Sequence, residues 1–331
     1  MTTCIFHSPL ASWLQAFWEM RCAMGRKGES DRKILGYLDR FLMRELMPGQ
    51  SITSEIAERW FKDIEHLSIG TRINRISILR QFCAYMSHFD RRTYIIHRCS
   101  IPCRTHPAPY IYSQREVCSI IAAAKQIGPD GSLRPAVVST LIGLLYSTGL
   151  RIGEALKLTL ADVGLDDQLL TIRETKFKKS RYVPLSLSTV EHLSAFLLER
   201  KEAGFPTTPT APVFMSPVGR AYKPVRICQI LLEILRKIGL RGPKGERGPR
   251  LHDFRHSFAV NRLAQWYRQE GNINAKLPLL ATYLGHTTVT CTEVYLHSTA
   301  ELLEQTAKRF HSCCAIPYLK CKEEVSHVKE P

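Results

Sequence analysis

The chain is 331 residues long, 44% hydrophobic and 23% charged, which is enough apolar material for two packed domains. Lys and Arg outnumber Asp and Glu by 46 to 30, a net charge of +16 that suits a polyanionic partner better than a small neutral ligand. No run approaches the roughly 18 apolar residues of a spanning helix, and the opening MTTCIFHSPLASW lacks the basic stretch, apolar core and cleavage site of a leader, so the reading is of a cytoplasmic protein with no membrane partner.

Up to about Phe89 the sequence reads as helices. Leu10, Trp13, Leu14, Phe17 and Trp18 recur at helical spacing, as do Ile34, Leu35, Leu38, Phe41 and Leu42, and each apolar stripe needs another helix to cover it. A third helix, from Thr53 to Leu67, has Thr53 and Ser54 as candidate caps, and a fourth, from Thr71 to Met86, puts Ile73, Ile76, Leu79, Cys83 and Met86 on one face. Arg72, Arg75 and Arg80 point elsewhere; the plain reading is a solvated face, and in a chain of this charge phosphate contact competes with it. Residues 90–112 carry three prolines, several basic residues and no sustained period, and are read as a linker between a helical domain, 1–89, and a second domain.

The second domain, 113–312, starts at Ser113, which with Glu116 forms a capping box ahead of Val117, Ile120 and Ile121. A long apolar helix, Ala136 to Tyr146, follows. Leu169 to Ile172 and Arg181 to Leu185 are strand-like runs flanking the basic segment Lys176, Phe177, Lys178, Lys179 and Ser180, a hairpin pattern. Helices resume at Thr189. The basic, Gly/Pro-rich loop from Arg241 to Arg250, with Lys244 and Arg247, is either a DNA-backbone contact or a disordered connection. The tail, 313–331, is polar and read as flexible. The 11 cysteines are scattered and read as reduced thiols. Two clusters, His97, Cys99, Cys103 and His106, and Cys313, Cys314 and Cys321, lack the paired spacing of a structural zinc site, so no metal is expected.

Four motifs of this domain carry chemistry. In Ser147-Thr-Gly-Leu-Arg151-Ile-Gly-Glu154, Gly149 ends one helix and Arg151 opens the next, with Glu154 on its face. The hairpin supplies Lys176. In Leu251-His252-Asp-Phe-Arg255-His256, an imidazole and a guanidinium share a helical face. Leu284-Gly285-His286 is followed nine residues later by Tyr295. Each has an ordinary explanation alone, as a surface ion pair, a core histidine or a packed tyrosine. Together they supply two bidentate cations, imidazoles, an ammonium and a phenol nucleophile, the groups that phosphodiester transesterification needs.

In order and spacing, TGLRIGE, TKFKKSRYVPL, LHDFRHSFA and LGHTTVTCTEVYLH resemble the signature of the tyrosine recombinases, which include phage and transposon integrases and the Xer recombinases. The resemblance covers the whole second domain, and more loosely the first, which is similar to the family's core-binding domain. It implies a mainly α, α+β fold: an N-terminal helical core-binding domain and a C-terminal mixed catalytic domain with a small antiparallel sheet. It implies that Arg151 and Arg255 clamp the scissile phosphate, Tyr295 attacks it to leave a 3′-phosphotyrosyl link, and Lys176 protonates the departing 5′-oxygen. His252 accepts the tyrosine proton, His286 bonds a phosphate oxygen, and Glu154 buttresses Arg151. No cofactor is implied. Phe177 replaces the family's usual glycine, which leaves Lys178 or Lys179 as alternative acids. Lys178, Lys179 and Arg181 join Arg72, Arg75, Arg80, Lys244 and Arg247 as DNA-contact candidates. The family works as a tetramer on two duplexes, with residues 298–312, anchored by Leu302, Leu303 and Phe310, as the docking helix. The competing readings are a catalytically silent DNA-binding accessory protein of the same fold, and a type IB topoisomerase with the same phosphotyrosine chemistry.

Overall fold

The computed structural model describes residues 5–25, 28–98, 109–129, 131–173, 180–269 and 273–285, with residues 288 and 292. Lys176, Lys178, Lys179, His286, Tyr295, the 298–312 helix, the 313–331 tail, and Cys99, Cys103 and His106 lie outside them. The chain forms two compact units, Met1–Pro107 and Ala108–Pro331. It is mostly helical with one small antiparallel sheet. Among the described residues no helix is long and apolar enough to cross a membrane.

The first unit holds α1 (Ala11–Ala23), α2 (Gly28–Glu45), α3 (Ser54–Asp63) and α4 (Ile69–Met86). The apolar stripes meet in one core, where Leu14, Phe17, Leu35, Leu38, Leu42, Trp60, Leu79 and Phe82 are buried. Phe17 meets Phe82 edge-on with ring centroids 5.5 Å apart, and Phe41 meets Trp60 at 5.0 Å, the geometry aromatic quadrupoles favour. Thr53 caps α3 by accepting the Ile56 N–H at 3.4 Å. The linker reading is too generous at this end. Thr93 and Ile96 are buried, and the Tyr94 N–H donates to the Ile52 carbonyl at 2.8 Å, so the chain up to there belongs to the first core.

In the second unit, α5 (Gln114–Ala124), α6 (Arg134–Thr148) and the single turn α7 (Ile152–Ala155) precede the strands β1 (Val163–Gly164), β2 (Leu169–Ile172) and β3 (Arg181–Pro184). The sheet order is β1-β2-β3, antiparallel throughout, with Ile172 opposite Arg181, so the basic segment joins two paired strands. Then come α8 (Leu187–Glu202), α9 (Pro224–Lys237), α10 (Asp253–Arg268) and α11 (Ile273–Leu284). Helix α6 is the hub: α5, α8 and α10 all pack on it, and Val137, Val138, Leu141, Ile142, Leu144 and Leu145 are buried. The Ser113 capping box is present, its hydroxyl accepting from the Glu116 N–H at 3.3 Å and the Glu116 carboxylate accepting from the Ser113 N–H at 2.7 Å.

The linker reading also fails at its far end. Tyr112 is buried and stacks on Phe254 at 4.5 Å, and its N–H donates to the Ser257 hydroxyl at 2.8 Å. The 241–250 loop is closed upon Arg241, which donates to the carbonyls of Pro249 at 2.7 Å and Glu246 at 3.0 Å, leaving Lys244 and Arg247 exposed. Arg200, which the sequence does not single out, is buried with no carboxylate partner among the described residues. It donates to the Pro206 and Pro212 carbonyls at 2.7 and 2.9 Å and so fastens the loop after α8.

Candidate active site

The site is assembled around the C-terminal end of α11. The last carbonyls of a helix have no partner within it and carry the negative end of its dipole, so they draw cations. Three guanidinium groups answer. Arg255 donates to the Leu284 carbonyl at 2.5 Å and the Gly149 carbonyl at 2.8 Å. Arg151 donates to the Leu284 carbonyl at 3.4 Å and the Gly285 carbonyl at 3.1 Å. Arg181 donates through Nε to the Tyr283 carbonyl at 2.7 Å.

Local sequence explains why these residues arrive together. Helix α6 ends on Gly149 in the left-handed conformation, φ +62°, and a Cβ there would stand 2.6 Å from the Phe258 ring and 3.1 Å from Leu284. Glycine therefore permits both the turn and the close approach of α10 and α11. Arg151 follows two residues later at the start of α7, where its own N–H donates to Glu154 at 3.1 Å and its side chain pairs with Glu154 at 2.9 Å. Phe258 of α10 stacks on Tyr283 of α11 at 5.3 Å, which sets α10, and with it Arg255, against the end of α11. At the head of α10, Asp253 accepts the Arg250 N–H at 2.7 Å, and Ser257 bonds back to the Asp253 carbonyl at 2.8 Å.

Glu154 is shared. Arg181 reaches it with both terminal nitrogens, at 2.8 and 3.3 Å, while Arg151 holds the other side. Burial alone would raise this carboxyl, but the hydrogen bonds and charge of Arg181, joined by those of Arg151, hold it below the usual carboxylate range. One carboxylate cannot offset both cations it touches, so the cleft stays positive.

His252 stands just before α10 and is exposed by area, yet the protein crowded around its ring, then the charges of His256 and Arg255, push it down to about 4; Arg151 adds to the effect. His256, edge-on to His252 at 4.8 Å, is likewise held at about 4, by burial first and then by Arg250 and Arg255. At neutral pH both are uncharged, so His252 is a proton acceptor beside two arginines.

Arg151, Arg255, His252 and Glu154 thus come together in one place. Arg255 is only 2% exposed and held by carbonyls, a burial the sequence does not foretell, whereas the Arg151 side chain is 34% exposed. Arg181, read as a DNA contact, is instead 11% exposed and locked inside the site. In the first unit, Arg72, Arg75 and Arg80 are half-buried, and the Arg75 guanidinium lies over the Tyr37 ring at 4.1 Å. Tyr112 and Tyr283 support the site and escape a motif reading, since nothing in their spacing separates them from ordinary core, and Ser257, inside the LHDFRHSFA motif, supports it without a role of its own in the sequence reading. Among the described residues no cluster of His, Cys, Asp and Glu could hold a metal.

The model of the phage integrase family matches residues 112–301. The chain is 36% identical over 301 residues to the putative integrase/recombinase y4rB of Sinorhizobium fredii, covering 89% of this chain and 95% of the relative. It is 28% identical over 310 residues to the tyrosine recombinase XerD of Caulobacter vibrioides, covering 91% and 96%. In fold it is similar to the Tn1549 transposon integrase in complex with a circular intermediate DNA, with a TM-score of 0.65 at 16% identity over 90% of this chain and 99% of that one. It is also similar to the XerH recombinase bound to a palindromic difH substrate, with a TM-score of 0.63 at 23% identity over 84% and 78%. With a family match over more than half its length and a relative of this identity along almost all of it, the chain belongs to the phage integrase family of tyrosine recombinases.

Proposed function

We propose that the chain is a site-specific DNA recombinase that cuts and rejoins strands through a 3′-phosphotyrosyl intermediate at Tyr295. The observation that carries this reading is the convergence of Arg151 and Arg255 on a single carbonyl, that of Leu284, two residues before His286. Two planar cations aimed at one oxygen are an arrangement suited to the non-bridging oxygens of a phosphodiester. On DNA the non-bridging oxygens of the phosphate are drawn to the same two guanidinium groups, with Arg151, the more exposed of the pair, meeting them first.

The Tyr295 hydroxyl attacks phosphorus, forming the phenol O–P bond as the bond from phosphorus to the 5′-oxygen breaks. The phenol proton passes to neutral His252, and the leaving oxygen takes a proton from Lys176. Arg151 and Arg255 stabilise the charge that accumulates on the pentacoordinate phosphorus, with His286 bonding a third position. The ester energy is kept in the phosphotyrosyl link, so a 5′-hydroxyl of a second duplex reverses the step without ATP or metal. The first unit serves as the core-binding domain, with Arg72, Arg75 and Arg80 on the backbone, and Lys178, Lys179, Lys244 and Arg247 add contacts from the second. The working form is a tetramer on two duplexes.

The test is a suicide duplex carrying the cognate recombination site, run on a denaturing gel with wild type and Tyr295→Phe. A covalent protein–DNA band in the wild type that is lost in the variant is the expected result. A wild type that shifts this DNA yet forms no adduct would identify an accessory DNA-binding protein instead. Relaxation of supercoiled plasmid without exchange between duplexes would identify a topoisomerase.

A further inference from the structure

By composition Arg181 is one more cation of a basic hairpin, at the first position of β3 directly after the segment that contains Lys176. Its surroundings assign it differently. All three guanidinium nitrogens donate to protein: two to the carboxylate of Glu154, at 2.8 and 3.3 Å, and Nε to the Tyr283 carbonyl at 2.7 Å. The side chain is 11% exposed, so a phosphate arriving from solvent finds little of it. The turn after α11 is shaped to it as well. Gly285 has φ +68°, and a Cβ there would lie 2.9 Å from Arg181 Nη1, so a side chain at that position would collide with the guanidinium.

Arg181 therefore touches both supports of the phosphate clamp: the carboxylate that holds Arg151, and the helix end whose carbonyls hold Arg151 and Arg255. We propose that Arg181 is a positioning residue for strand cleavage, fixing Glu154 and the last turn of α11 so that Arg151 and Arg255 stay in register with each other and with the hairpin strand that follows Lys176. This rests on the function proposed above. Misplacing a charged catalytic group by about 1 Å costs on the order of 10²-fold in rate. Lysine cannot take over, because an ammonium offers its donors from one point and cannot span two carboxylate oxygens and a carbonyl in one plane.

The test compares wild type, Arg181→Ala and Arg181→Lys in single-turnover cleavage of the suicide duplex at saturating protein, with DNA affinity across a salt series and thermal melting alongside. For Arg181→Ala the cleavage rate at saturation should fall by about 10²-fold, with affinity and salt slope unchanged; Arg181→Lys should stay well below wild type. A variant that cleaves normally at saturation but binds more weakly, with a salt slope smaller by about one, would make Arg181 a phosphate contact and overturn the proposal. Should Arg181→Ala melt as an unfolded chain, Arg181→Lys decides by the same two measurements, and a wild-type rate overturns the proposal. A wild type without adduct brings down the function proposed above and this inference with it; a wild-type adduct matched in rate by Arg181→Ala brings down this inference alone.

Discussion

His252 carries the chemical argument at the scale of the residue. Its imidazole is held at about 4 by the protein packed around it and by His256, Arg255 and Arg151, so in the free protein it is neutral across the physiological range. A neutral imidazole can accept the proton of an attacking phenol, though one that weakly basic does so reluctantly. The missing component is the phosphate. A phosphodiester anion between Arg151 and Arg255 cancels part of the positive field, so binding DNA should raise His252 and make it a better base when it is needed. In the mechanism proposed above cleavage uses the neutral form, so its rate should fall as pH drops through the His252 pKa, and that acid limb should lie higher in the DNA complex than in the free protein. Histidine proton resonances followed against pH test this, with His252→Gln for assignment. A midpoint near 4 that climbs on adding the recombination site is expected, and one already near the unperturbed 6.5 in free protein would mean that neither the protein packed around the ring nor the neighbouring charges depress it.

At the scale of the element, the meeting of α6, α10 and α11 decides whether two distant arginines form a pair. Gly149 is the hinge of that meeting. Alanine there must adopt φ +62° and drive its methyl to 2.6 Å from Phe258, so Gly149→Ala should destabilise the protein by about 1–3 kcal/mol. Gly153, with open space around its Cβ and no positive φ, is the control, and there alanine should leave stability unchanged or raise it by up to about 1 kcal/mol. Urea unfolding midpoints of the two variants decide it; equal losses would show that the packing around Gly149 is slack. Elements of this kind were largely legible in the sequence. The Ser113 box, the break at Gly149 and the strand-like run of Leu169 to Ile172 are local signals with local causes, and each lies at its expected place. Arg181 shows where such reading stopped. Counted as charge it resembled its lysine neighbours. Counted as strand, it shares a face with buried Val183 and Leu185, and an arginine on an inward face needs an acid, which Glu154 supplies. The signal was present in the period-two pattern, but naming the acid required the fold, because Glu154 lies 27 residues away.

For the whole molecule the governing quantity is the +16 charge and which cations are free to use it. Several are already committed: Arg21 to Asp31 at 2.7 Å, Arg59 to Glu45 at 2.7 Å, Arg173 to Asp162 at 2.5 Å and Arg181 to Glu154 at 2.8 Å. Lys244 and Arg247 are different. They stand exposed on a loop that Arg241 ties into a fixed shape, so their charges are presented to solvent without being spent on a neighbouring carboxylate among the described residues. Each phosphate neutralised by such a residue releases condensed counterions and adds about −0.9 to the slope of log affinity against log salt. The double variant Lys244→Ala/Arg247→Ala should therefore flatten the slope by about two, with equal effect on cognate and unrelated duplexes, since backbone contacts carry no sequence information. Arg173→Ala, which removes the same kind of charge from an exposed arginine already paired with Asp162, should leave the slope nearly unchanged. Fluorescence anisotropy across a salt series on both duplexes measures each slope. If the double variant and Arg173→Ala flatten it equally, affinity follows net charge alone and the shape of the 241–250 loop contributes nothing; if only the double variant does, the loop lies on the DNA backbone and its internal order has a purpose.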